Sequence, residues 1–128
     1  MRLHHVRLSM PEGGEDQARG FYAGTLGFEE LDRPASYAGR AGVWFRRTEG
    51  GVAMAEVHLG VAEPFVPATQ AHPALAVSSV AALEALAERI GAGGHEVSWE
   101  ERSSLPGYER FHAQDPFGNL LEVLTPAE

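Results

Sequence analysis

A small set of side chains in this sequence could hold a divalent ion. His5 stands in the opening segment "LHHVRLSM", His72 opens "HPALAV", and Glu122 lies in "NLLEVLT" among apolar neighbours. A carboxylate there is costly unless it is paired or bound to a cation. The remaining candidate is Glu56 or His58, which share one face of "MAEVHLGV" by the strand period of two. Nitrogen and oxygen donors of this kind suit Zn²⁺, Ni²⁺, Mn²⁺ or Fe²⁺. An ion held from one side keeps positions open for two neighbouring oxygens of a substrate. Acting as a Lewis acid it would stabilise an enolate or oxyanion, with Glu122 or a metal-bound hydroxide moving the proton.

The elements that must position these residues occur twice. "LHHVRLSM" alternates as a strand, and "EDQARGFYAGTLG" places Ala18, Phe21, Tyr22, Thr25 and Leu26 on one helical face. "GFEEL", "GVWFRR" and "GVAMAEVHLGV" then read as three strands, the last two joined by the turn signal "TEGG". The same order follows in "HPALAV", the helix "SSVAALEALAERIGAGG", and the strands "HEVSW", "YERFHAQ" and "NLLEVLT". That helix has Ser78 or Ser79 as N-cap, Val80, Leu83, Leu86, Ala87 and Ile90 facing inward, and a glycine stop.

Sliding the chain by 67 residues pairs His5 with His72, Leu8 with Leu75, Ala18 with Ala85, Gly27 with Gly94 and Gly51 with Gly118. The matches fall at equivalent points of the two element sets. The expected fold is α+β, with two βαβββ modules whose mixed sheet curls into a half-barrel around a cavity. Residues 1–59 form the first module, 60–71 a proline-bearing linker and 72–128 the second, in a single domain over 1–128. In that arrangement His5 and His72 face the cavity, and His4, one residue off, points away.

Composition bounds the function. The chain of 128 residues is long enough for one core, and a domain of this size buries roughly two thirds of its unfolded surface. A formal charge of −8 disfavours nucleic acid, although such charge also simply solubilises a surface. The chain has no cysteine, which reads as a reducing cytoplasm, and no apolar run long enough for a membrane. Trp44 and Arg46 share one strand face, as do Tyr108, Arg110 and His112, and these are the candidate lining of the substrate pocket. An inward Arg46 or Arg110 would hold a carboxylate, phosphate or enediolate oxygen. Nucleotide loops and nucleophile elbows are missing from the sequence.

The segments "LHHVRL", "ARGFYAGTLGFEEL", "HPALAV" and "DPFGNLLEV" together resemble the vicinal oxygen chelate superfamily, which includes glyoxalase I, extradiol dioxygenases and fosfomycin- and bleomycin-resistance proteins. The resemblance implies metal ligands at His5, His72 and Glu122, with the fourth on His58 in "VHL". Glyoxalase I has glutamate at that position. A slide of 66 residues aligns "EVHL" with "EVLT" and nominates Glu56 instead, so the choice between Glu56 and His58 stays open. The expected function is that of a metal-dependent lyase or isomerase of glyoxalase type acting on a small substrate, in a homodimer. The alternatives are an antibiotic-sequestering binding protein without catalysis, and an extradiol-type dioxygenase, against which a fourth protein ligand counts.

Overall fold

The computed structural model describes residues 1–128 and divides into two compact units, Met1–Pro67 and Ala68–Glu128. The division falls within the segment read as linker.

In the first unit, β1 (Val6–Met10) leads into a helix that is α over Glu15–Ala18 and π over Arg19–Thr25. Strands β2 (Glu29–Leu31), β3 (Gly42–Glu49) and β4 (Val52–Val61) follow, with a short 3₁₀ turn at Ala35–Tyr37. The sheet order is β1-β4-β3-β2, with β1 parallel to β4 and the other pairs antiparallel. Gly50 and Gly51, both at positive φ, make the tight turn between β3 and β4 that any other residue would strain.

Alternation along the strands decides the two faces. Leu8, Met10, Val43, Phe45, Val57 and Leu59 are buried on one face, with Phe21, Tyr22 and Leu26. Tyr22 stacks on Phe45 at 5.4 Å between ring centroids. The regular helical face expected over Ala18–Leu26 is replaced by wider π turns, in which Leu26 N–H donates to the Phe21 carbonyl five residues back. This lets the sequence neighbours Phe21 and Tyr22 both enter the core, while Thr25 stays partly exposed.

In the second unit, β5 (Ala74–Ala76) and helix α2 (Val80–Ala92) precede β6 (Val97–Ser98), β7 (Tyr108–Gln114) and β8 (Leu120–Pro126). The order β5-β8-β7-β6, with β5 parallel to β8, repeats that of the first unit. Ser79 caps α2 by accepting from the Ala82 N–H at 3.1 Å, and Gly94 at positive φ ends it. Leu83, Leu86, Ala87 and Ile90 turn toward β7 and β8, which bury Phe111, Leu121 and Val123. Each of these leucine, isoleucine, phenylalanine and valine side chains contributes about 1.5–3 kcal/mol on burial.

The turn before β8 is built by Asp115, whose carboxylate accepts from the Phe117 and Asn119 backbone N–H groups and from the Asn119 side-chain amide, each at 2.9 Å. Asn119 in turn accepts from the Ala68 N–H at 3.0 Å. The entry of β8, and with it Glu122, is thereby fixed.

Ladder register measures the internal repeat more finely than the sequence does. Leu8 pairs with Leu59 and Leu75 with Val123, so the shift is 67 residues between β1 and β5 but 64 between β4 and β8. His58 and Glu122 consequently hold equivalent positions, and their antiparallel partners are Trp44 and His112.

Candidate metal and substrate site

The face of each sheet opposite its core carries the polar residues singled out from the sequence. In the second unit these are Arg110 and His112 on β7, Glu122 on β8, and His72 two residues before β5. Tyr108 begins the same strand face and is exposed.

Glu122 is buried and all its partners are cationic or can become so. Its Oε2 receives the Nε2–H of His72 at 3.0 Å and lies 3.6 Å from His112 Nε2, while Oε1 receives Arg110 at 3.1 Å. Arg110 is held for this contact by the Ser104 hydroxyl and the Glu101 carbonyl. Burial pushes the Glu122 carboxyl upward, but the hydrogen bonds from His72 and Arg110 outweigh it and hold it below the usual carboxylate range. His72 donates Nδ1–H to the Gln70 carbonyl at 2.8 Å and Nε2–H to Glu122, so both nitrogens carry protons. The Gln70 contact, with Glu122 behind it, raises its pKa above the usual imidazole value.

Donor atoms of His72, His112 and Glu122 lie within 4.8 Å of one another. A divalent ion would take the place of the His72 Nε2 proton, and the Gln70 carbonyl already orients the ring as an outer partner orients a metal-bound histidine. This donor set therefore fits the metal expected from the sequence. His112 enters it through register alone, because it sits directly opposite Glu122. The sequence offered only its place on the "YERFHAQ" face, with no histidine at the repeat-equivalent position.

In the first unit, Glu56 and His58 are both buried and bonded to each other, His58 Nε2 to Glu56 Oε1 at 2.7 Å. Ionised Glu56 only accepts, so Nε2 carries the proton and Nδ1 is the nitrogen left to bind a metal. Arg46 closes the other side, donating to Glu56 Oε2 at 2.9 Å. Burial raises the Glu56 carboxyl but the His58 and Arg46 hydrogen bonds bring it below its usual value, whereas burial of His58 lowers its imidazole against the pull of Glu56. His58 is stacked between His5, at 4.1 Å, and Trp44, at 3.8 Å and 2° between planes.

His4 does not simply turn away from His5. Both precede the first paired residue, Val6, so strand alternation does not govern them, and their Nδ1 atoms meet at 2.9 Å. The expected ligands thus fall as His5 with His58 in the first unit, and His72 with Glu122 in the second.

Residues 2–123 match the Glyoxalase/Bleomycin resistance protein/Dioxygenase superfamily. The chain belongs to this superfamily. Among solved structures, this superfamily member is similar to a glyoxalase family protein from Bacillus anthracis at 34% identity, covering 99% of this chain and 100% of that one, with a TM-score of 0.81. It is also similar to TnmS3, an antibiotic binding protein from Streptomyces sp. CB03234, at 25% identity, 99% coverage of each chain and TM-score 0.65. The fosfomycin resistance protein FosX from Listeria monocytogenes shares the fold, at 18% identity, 99% and 94% coverage and TM-score 0.73. No curated protein matches the chain. No helix of this superfamily member is long and apolar enough to cross a membrane.

Proposed function

We propose that the protein is a divalent-metal-dependent enzyme of glyoxalase type, a lyase or isomerase on a small substrate bound through neighbouring oxygens. His72, His112 and Glu122, with donor atoms inside 4.8 Å, carry this reading. When bound, the ion would supply Lewis acidity toward a substrate oxygen. Glu122, kept ionised by His72 and Arg110, accepts and returns a proton at Oε2. Arg110 supplies a positive charge toward a developing oxyanion. His5 and His58, stacked on each other in the first unit, are the further ligand candidates.

The experiment is metal analysis of untagged protein after separate loading with Zn²⁺, Ni²⁺, Mn²⁺ and Fe²⁺. About one equivalent per chain, lost in His72→Ala, supports the enzyme. No uptake of any ion would overturn it and leave a non-catalytic small-molecule-binding role, like that of TnmS3, an antibiotic binding protein. Two imidazoles and one carboxylate are also the donor set of non-haem Fe²⁺ oxygen chemistry, so retention of Fe²⁺ alone, with oxygen consumption, would favour a dioxygenase. Pairing into a homodimer belongs to the same proposal, and light scattering would show twice the 13.8 kDa of one chain.

A further inference from the structure

The first unit contains a cleft of about 490 Å³ whose walls are cationic and aromatic. All ten basic residues of the chain are arginine, and Arg19, Arg46, Arg47, Arg102 and Arg110 are paired with carboxylates. Of the five that pair with none, Arg2 and Arg89 lie elsewhere, while Arg7, Arg33 and Arg40 line this cleft, where no acidic side chain joins them. In a chain with a formal charge of −8, such a gathering runs against the overall field. Like charges held together without a counter-charge repel, and an anion relieves them.

The floor of the cleft is built to receive these groups. Gly42, which opens β3, and Gly60, near the end of β4, are directly opposed in the ladder, so this end of the pair carries no side chains. A methyl group on Gly60 would sit 2.9 Å from the Arg7 Cζ, and one on Gly42 would sit 3.1 Å from Arg33 Nη1 and 2.7 Å from the Leu59 carbonyl. The glycine pair therefore lets two guanidinium groups lie against bare backbone. Arg33 is aimed by donating to the Arg40 carbonyl, and the Arg40 guanidinium lies 5.2 Å from the Tyr37 ring centre. Tyr37 meets Trp44 edge-on at 4.8 Å, giving an apolar wall beside the cations.

The geometry points to a binding site for a small organic anion, with a carboxylate or phosphate head held by Arg7, Arg33 and Arg40 and an apolar or aromatic body against Tyr37 and Trp44. The volume is that of a small-molecule site. Guanidinium forks match both head groups bidentately, so the chemistry of either is served. All the residues belong to the first unit, where His5 and His58 line the same cleft, so the anion would lie beside the ligands expected there; its binding by the arginines does not depend on metal uptake by His72, His112 and Glu122.

Calorimetric titration of the full chain in the presence of EDTA, with phenyl phosphate, benzoate and benzylamine as probes, tests it. One or both anions should bind and benzylamine should not; the stronger anion identifies the head group. In Arg33→Gln/Arg40→Gln, both positions being in the loop outside the strands, affinity for that anion should fall at least about tenfold. Gly60→Ala, which displaces Arg7, should weaken it as well. Circular dichroism establishes that each variant is folded. Binding of neither anion, equal binding of benzylamine, or undiminished affinity in the folded double variant would overturn the site. Because EDTA is present throughout, failure of the metal proposal leaves this result unaffected, and failure here leaves the metal analysis unaffected.

Discussion

His58 and Glu122 occupy one and the same ladder position in their two sheets, each directly before the residue that pairs with the leucine three places after the module's opening histidine. Each is buried, faces away from the core and is bonded to a charged or chargeable neighbour, Glu56 for one and His72 for the other. The two modules have thus exchanged the kinds of group at this place, an imidazole backed by a carboxylate against a carboxylate backed by imidazoles.

Glu122→Gln keeps the size of the side chain and removes its charge. Arg110 then loses its best-buried partner but retains Ser104 and the Glu101 carbonyl, so a stability loss of about 1–3 kcal/mol is expected. Divalent metal affinity should fall at least about tenfold at the same time. Thermal melts and bound metal measured on one preparation check both effects.

His112→Phe separates the ligand role from packing. The equivalent ladder position in the first module holds Trp44, so an aromatic ring is accommodated there. The expected outcome is an unchanged melting temperature with metal affinity reduced about tenfold or more, read by competition with a chromogenic chelator.

Acid should weaken the first unit in two steps. Burial lowers the His58 imidazole below 6.5, so the folded state favours the neutral ring, and its contribution, present above 6.5, is lost as pH falls through the lowered value. The Glu56 carboxyl is also lowered, below 4.5, despite burial, by its bonds to His58 and Arg46. Its contribution is present above 4.5 and lost as pH falls through its folded value. His72 runs the other way: its pKa is raised, so its contribution is present below 6.5 and lost as pH rises past the raised value. Urea midpoints across pH for Glu56→Gln, His58→Gln and His72→Gln, each against wild type, should show these opposite slopes.

Asp115→Ala removes the acceptor for three donors at the entry of β8 and leaves the fully buried Asn119 amide without that partner. A loss of about 3 kcal/mol is expected, since an unsatisfied buried donor costs about 1–3 kcal/mol. Chemical denaturation reads it directly.

Much of this architecture was legible in the residues. Alternating strands, the Ser79 cap and glycine stop of α2, and the duplicated order of elements follow from local periodicity, which survives in a single chain. The π turns over Arg19–Thr25 were not legible, because two adjacent aromatics on an amphipathic segment read as an ordinary helix edge. The three-residue difference in shift between β4 and β8 was hidden too, since loop lengths between the strands differ and only ladder pairing reveals it. Within the site, Trp44, Arg46, Arg110 and His112 followed from the strand period. Arg7 lies two residues after His5 in a segment that reads as alternating, and could have been found from the sequence. Arg33, Tyr37 and Arg40 lie where no period operates, and only the folded loop shows them meeting at the Gly42 and Gly60 pair.

The two tryptophans divide one to each unit, and their surroundings differ. Trp44 is stacked on the His58 ring, whereas Trp99 packs on Phe111 with the Arg102 guanidinium 4.7 Å from its ring. An imidazole quenches a stacked indole most when it is protonated, so Trp44 emission should dim as pH falls through the lowered His58 value and should lose that pH dependence when His58 is replaced. Trp99→Phe and Trp44→Phe proteins therefore each carry a single intrinsic lamp, one per unit. Emission from them can time the loss of structure in either half of the chain without any attached dye.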